Sequence, residues 1–175
     1  NGQRLLDGTA GYRVTGVNTS QIKSVTVLDR QNSNDVTVNV NVTSAATKAT
    51  NSYTGGALGS DTTLTITGTN GTASISLSNG ASTSDIASAF NAVSQLTGVT
   101  ASRIDGNQVD FASTEYGTRA NITIAAQTGS FATTTVGTTT GTNAVATING
   151  DAVTADGTTF TVNTQQTLVS FSVAP

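Results

Sequence analysis

Ten carboxylates are the only side chains of this 175-residue sequence suited to acid–base work near neutral pH, because it has no Cys and no His. Without those two residue types there is no thiol nucleophile, no Ser-His-Asp triad and no zinc finger. A glycosidase would need two carboxylates facing each other across a cleft. Most of the ten have simpler duties. Asp7, Asp105 and Asp156 each precede a glycine, as turn residues do, and Asp85 closes the sequence Ser82-Thr83-Ser84-Asp85. Asp29 and Asp35 flank a polar loop, and Asp61 and Asp151 are isolated. Only Asp110 and Glu115 lie close together without an evident turn or capping role. Structural roles are expected for all ten, and no catalytic residue is assigned. Asp105-Gly106-Asn107 and Asp156-Gly157 offer oxygens to Ca²⁺ but lack the spacing of a calcium loop, so they read as turns. No metal and no cofactor is expected.

Charge and patterning exclude other partners. Seven basic residues against ten acidic ones give a net charge of -3. The bases (Arg4, Arg13, Lys23, Arg30, Lys48, Arg103 and Arg119) are scattered, so no footprint for nucleic acid exists. Gly55-Gly56 and Gly68-x-x-Gly71 are not followed by a phosphate-binding Lys. No apolar run reaches 18 residues, so no membrane span is expected. The sequence opens at Asn1 without a charged and apolar leader, which reads as a piece of a longer or processed protein. Four N-x-[ST] sequons, at Asn18, Asn41, Asn70 and Asn121, are of the kind that chance produces in so Asn- and Thr-rich a chain.

The elements that must position these residues are mostly strands. Thr is the commonest residue, and β-branched side chains favour a pleated, half-buried surface. With no disulfide to brace it, the fold depends on apolar burial and backbone pairing. Val25 and Val27, then Val36, Val38, Val40 and Val42, alternate with polar residues, which predicts two strands joined by the polar loop Asp29–Asp35. Thr43–Asp61 loses the alternation and reads as a linker or a boundary between subdomains. Leu64 and Ile66, then Ala73, Ile75 and Leu77, predict a hairpin over Thr63–Ser78 turning at Asn70-Gly71 in a type I′ geometry.

One helix follows. Ser82 and Asp85 form a predicted capping box, and Ile86, Phe90 and Val93 share a face at i, i+4, i+7. Gly98 is its expected C-cap. Val99–Arg103 and Val109–Phe111 predict two further strands about a turn near Gly106, and Ile122 and Ile124 another. Ala126–Asn143 is almost all Thr, Gly, Ser and Ala and reads as a linker that could carry an edge strand. Val145–Ile148, Thr159–Val162 and Leu168–Val173 predict three last strands with turns at Asn149-Gly150 and Asp156-Gly157.

Two stretches resemble bacterial flagellin. The opening Asn1-Gly2-Gln3-Arg4-Leu5-Leu6-Asp7-Gly8-Thr9 is similar to the segment where flagellin's helical region gives way to its outer domains. Residues 64–124 resemble the flagellin IN repeat, found in flagellins and hook-associated proteins. The likeness is carried by Asp85-Ile86-Ala87-Ser88-Ala89-Phe90-Asn91, Thr97-Gly98-Val99-Thr100-Ala101-Ser102, Val109-Asp110-Phe111-Ala112-Ser113 and Tyr116-Gly117. Phe90 stands where the usual Ile-Asn pair has its Ile. The resemblance implies outer domains displayed on an extracellular flagellum, with other flagellin subunits as partners. Some flagellins carry a zinc protease in this region; its H-E-x-x-H cannot occur here. Outer domains of flagellins are commonly O-glycosylated, which makes Thr133, Thr134, Thr135, Thr138, Thr139 and Thr140 the candidate attachment sites.

The expected fold is therefore α+β, mostly β: small antiparallel sheets and hairpins with one capped helix packed on a sheet. Residues 1–55 with 143–175 are expected to form one β-rich subdomain, with 58–128 inserted as a ββαββ module. The leading functional expectation is a structural part of the flagellar filament, its outer surface. The alternative is a hook-associated or adhesin-like extracellular binding module. An enzyme is not expected.

Overall fold

The computed structural model describes residues 13–31, 35–164 and 166–175. The flagellin-like opening, residues 1–9, lies outside the described residues, as does part of the Asp29–Asp35 loop. The chain divides into two compact units. One is continuous, Thr47–Thr142; the other is split, combining the chain up to Ala46 with Asn143–Pro175. The fold is mostly β, in four small antiparallel sheets.

In the split unit, β1 (Ile22–Arg30) and β2 (Val40–Ser44) come from the first segment. The last segment supplies the other four strands of this unit, which are numbered in chain order after those of the continuous unit: β10 (Val145–Ile148), β11 (Asp151–Thr154), β12 (Thr159–Thr164) and β13 (Thr167–Val173). The two early strands do not pair with each other, contrary to what a short loop between them suggests. β1 adds to β13, opposing Val25 to Phe171 and Val27 to Val169, and β2 adds to β10. Pairings this distant in sequence leave no local mark. β2 also starts later than the valine alternation predicts, at Val40. Phe160 opposes Phe171 across the β12–β13 pair, and their rings stack with centroids 5.2 Å apart. β11 was absent from the sequence reading. It forms because Asn149 and Gly150 both take positive φ (52° and 101°) and close a two-residue hairpin from β10.

The continuous unit holds β3 (Thr50–Tyr53), β4 (Thr62–Gly68), β5 (Gly71–Leu77), α1 (Thr83–Ala92), the helical turn α2 (Ser94–Thr97), β6 (Val99–Arg103), β7 (Val109–Ser113), β8 (Asn121–Thr128) and β9 (Thr138–Thr140). They make two sheets, ordered β3-β7-β6 and β5-β4-β8-β9. Thr47 and Thr142, the unit's two ends, are bridged by backbone pairing and by a 2.9 Å hydroxyl contact. The core joins Leu64 and Ile66 of β4, Ile75 and Leu77 of β5, Ile86 and Phe90 of α1, Val99 of β6, Val109 and Phe111 of β7, and Ile122 of β8, all buried.

Three local expectations need correcting. Thr50–Tyr53, read as linker, is a strand paired with β7. Its apolar content is one residue, Tyr53, so the period-two signal fails. The β4–β5 hairpin turns one position earlier than expected. Gly68 opposes Gly71, the turn residues are Thr69 and Asn70, and Asn70 lacks the positive φ of a type I′ turn. The reason lies at Gly68. A Cβ there would collide with the Thr97 carbonyl oxygen and lie 2.6 Å from Val99 Cγ2, so the glycine is needed for close approach. Lastly, the helical stretch is broken. Val93 takes φ -107° and ψ 9°, and the short α2 ends on Gly98 in the left-handed conformation (φ 73°).

Candidate functional site

The continuous unit is organised around α1. Ser82 is its N-cap: the Asp85 N–H donates to the Ser82 hydroxyl (3.3 Å), and the Ser82 N–H donates to the Asp85 carboxylate (2.9 Å). The Ser82 hydroxyl also donates to that carboxylate at 2.7 Å. These bonds hold the Asp85 carboxyl below its ordinary pKa, the Ser82 hydroxyl being the larger cause and the backbone N–H the next. At its other end, the Asn91 amide bridges helix and sheet. Its Nδ2 donates to the Ala101 carbonyl and its Oδ1 accepts from the Ala101 N–H, both at 2.9 Å. Ala101 thus has both backbone groups satisfied on the side of β6 facing away from β7. Asn91 lies in the stretch that resembles the IN repeat, and this bridge gives that asparagine a physical role.

Below α1 lies an aromatic cluster. Phe90 packs on Phe111 with centroids 4.3 Å apart, and Phe131 stacks on Tyr53 at 4.2 Å and 7°. Phe131 also lies 6.3 Å from Phe90 and 6.2 Å from Phe111. Burial pushes the Tyr53 phenol above its ordinary pKa, since desolvation disfavours the phenolate.

Phe131 belongs to the stretch read as a linker, and its ring anchors that stretch on the cluster. Beyond it, Asn51 holds the threonines in place although it is only 4% exposed. Its Nδ2 donates to the Thr135 carbonyl (2.9 Å), while its Oδ1 accepts from the Thr135 N–H and the Thr134 hydroxyl (both 3.1 Å). The Thr134 N–H donates to the Ser52 carbonyl at 2.8 Å. Residues 133–135 therefore cover the open edge of β3. Next to them Val136 projects, 92% exposed. Sequence reading missed Asn51 and Phe131. The signal available was one phenylalanine in a Thr-rich stretch.

The six candidate threonines fall into two groups. The hydroxyl of Thr133 donates to the Thr135 carbonyl, that of Thr134 to Asn51, and that of Thr139 to the Ile122 carbonyl. Thr138 shares a 2.7 Å hydroxyl contact with Thr123 across β8 and β9. Thr135 and Thr140 are exposed, and their hydroxyls bond to no described side chain or backbone group.

The carboxylates do not converge. Asp110 accepts from the Ser52 hydroxyl (2.8 Å) and Gln108 Nε2 (2.7 Å), all three residues being half-buried. Among the described residues the Glu115 carboxylate forms no hydrogen bond with it, and the Glu115 carbonyl accepts from the Ser113 hydroxyl. Asp105 accepts from the N–H groups of Asn107 and Gln108, closing the β6–β7 turn, and Asp61 accepts from the Asn79 N–H. Among the described residues no three carboxylates gather where a metal could be held. No described helix is long and apolar enough to cross a membrane. What this arrangement offers is a hydroxyl-rich β surface on a rigid core.

The comparisons with known proteins agree with that arrangement. Residues 63–115 match the family model described as the flagellin hook IN motif. Among solved structures, the chain is similar to the D2–D3 domains of the flagellar cap protein FliD from Serratia marcescens. The TM-score is 0.62 at 20% identity, covering 88% of this chain and 92% of that one. The corresponding domains from Escherichia coli match with a TM-score of 0.57 at 19% identity, over 87% and 91% of the two chains. FliD (HAP2) from Pseudomonas aeruginosa PAO1 gives 0.57 at 16% identity, over 85% and 77%. No curated protein matches the chain. The motif spans under a third of the chain, and the solved structures share its fold at 20% identity or less.

Proposed function

We propose that this chain is the outer-domain region of a hook-associated, cap-type flagellar protein. The observation that carries the reading is fold similarity to cap-protein D2–D3 domains over nearly the whole of both chains. The IN motif is compatible with a cap protein and with a filament subunit, so it does not decide between them. In this role the region is extracellular, contacts other flagellar subunits and performs no catalysis. The dispersed carboxylates and the absence of His and Cys from the sequence support the last point.

We infer the domain arrangement from the same contacts. Thr47–Thr142 is a module inserted into a β-subdomain made from the chain's two ends, and the Thr47–Thr142 bridge brings its entry and exit together. Should the native protein carry O-linked glycans, Thr135 and Thr140 are the sites this geometry favours, because their hydroxyls are exposed and uncommitted.

Stoichiometry separates the two flagellar readings. A filament subunit makes up most of a sheared filament's protein, whereas a cap is a trace component. Quantitative mass spectrometry of sheared, washed filaments should find peptides of this chain at a trace level relative to the major subunit. Finding them at the level of the major subunit would overturn the cap reading in favour of the filament one.

A further inference from the structure

Three Asn-Gly pairs occur among the described residues, and the fold treats them differently. Such a pair can rearrange without an enzyme. The glycine backbone nitrogen attacks the asparagine side-chain carbonyl carbon, forming a C–N bond as the Cγ–Nδ2 bond breaks. The departing amide takes the backbone N–H proton and leaves as ammonia. A succinimide ring remains, and water opens it to aspartate or isoaspartate. Glycine permits the attack because it has no Cβ in the way. The fold controls the rest: the glycine N–H must be free, and the asparagine carbonyl must be reachable.

Asn79-Gly80 fails the first condition, since the Gly80 N–H donates to the Leu58 carbonyl at 2.8 Å. Asn70-Gly71 is pinned. Gly71 is already the ladder partner of Gly68, and the Asn70 Nδ2 that would have to leave donates to the Gln95 carbonyl (3.4 Å). A Cβ on Gly98 would lie 3.1 Å from Asn70 Cγ, so that carbonyl carbon is also crowded.

Asn149-Gly150 meets both conditions. The pair forms the exposed two-residue connection between β10 and β11. The Gly150 N–H has no partner among the described residues, and nothing lies within 4 Å of where its Cβ would be. The Asn149 N–H donates to the Asn39 carbonyl, and Asn149 Oδ1 accepts the Asn39 N–H, both at 2.9 Å. The second bond polarises the side-chain carbonyl and stabilises the negative charge that grows on its oxygen during attack. The leaving Nδ2 has no hydrogen bond among the described residues.

We propose that Asn149-Gly150 is a built-in site of spontaneous deamidation, selected by the fold from three equivalent sequence pairs. Conversion places a new carboxylate two residues from Asp151. The isoaspartate product puts an extra backbone carbon into a two-residue turn and breaks the Ile148–Asp151 register. The extracellular location proposed above is not needed for the chemistry.

The test ages the full chain in mildly alkaline buffer and maps peptides by mass with isoaspartate detection. Asn1-Gly2, outside the described residues, falls in its own peptide. The expected result is conversion at Asn149 about tenfold faster than at Asn70 or Asn79, the factor for one hydrogen bond's worth of protection. In concentrated denaturant the three rates should converge, because the selection comes from the fold. The proposal is overturned if Asn70 or Asn79 keeps pace with Asn149 in the native chain. It is equally overturned if the lead of Asn149 persists undiminished in denaturant, since sequence would then suffice.

Discussion

Phe131→Ala separates a linker from a structural strap. In a true linker a substitution shifts stability by no more than about 0.5 kcal/mol. Here the ring is half-buried and stacks on Tyr53 at 4.2 Å, with Phe90 and Phe111 beyond it. Truncating a fully buried Phe costs about 3–5 kcal/mol, and half-burial reduces that to roughly 2. The lost stacking on Tyr53 adds about 0.5–1 kcal/mol, for a total near 2–3. With a urea slope of roughly 2 kcal/mol per molar, the midpoint should fall by about 1 M. Tyrosine emission and near-ultraviolet dichroism read the transition, because Tyr53 lies in the affected cluster and the chain has no Trp. An unchanged slope would show that the denatured state is not the cause. A midpoint within 0.2 M of the parent, set roughly by the linker limit, would refute the packing described for Phe131.

Ser82→Ala should lower stability by about 1 kcal/mol through loss of the helix cap, read as a shifted urea midpoint. Because the Asp85 carboxyl sits below its ordinary pKa, its stabilising effect is present above the unfolded value and lost as pH falls through the folded one. Acid titration of Asp85→Asn should therefore show a shallower stability loss than the parent, and an identical profile would contradict the assignment. Tyr53 behaves in the opposite sense. Its raised pKa leaves stability intact below the ordinary phenol value of about 10 and erodes it as pH climbs through the folded one. Ultraviolet titration should show a late phenol that Tyr53→Phe removes. Gly68→Ala should cost about 1–3 kcal/mol by overpacking against Thr97 and Val99, again measured in urea, whereas a neutral result would mean the two strands can separate freely.

The sequence carried the local half of this fold. Ser82 and Asp85 announce a capping box, and the apolar spacing of Ile86 and Phe90 fixes the buried face of α1. Period-two runs mark β4, β5 and β13, where one face is buried and the other wet. What failed was whatever depends on distant partners. β3 has a single large apolar side chain, and its strand character comes from pairing with β7 and from the strap over its edge. β1 and β2 look like a hairpin, yet each finds its neighbour over 100 residues away. The two Asn-Gly turns show the same limit. Both pairs suit a type I′ turn, but only Asn149-Gly150 adopts positive φ at both residues, because at the other pair Gly68 is needed for close packing and the turn moves back by one. Of the candidate attachment threonines, sequence supplied all six and geometry separated Thr135 and Thr140 from those whose hydroxyls are bonded. Toward function the sequence offers the resemblance of its IN-like stretch, which suits a cap protein and a filament subunit alike.

Position on the flagellum tests the central claim most directly. Antibody raised against this chain and detected with gold particles on intact flagella should label the distal end of each filament and leave its length bare. Continuous labelling along the filament would contradict the cap-type account and return the chain to the filament surface.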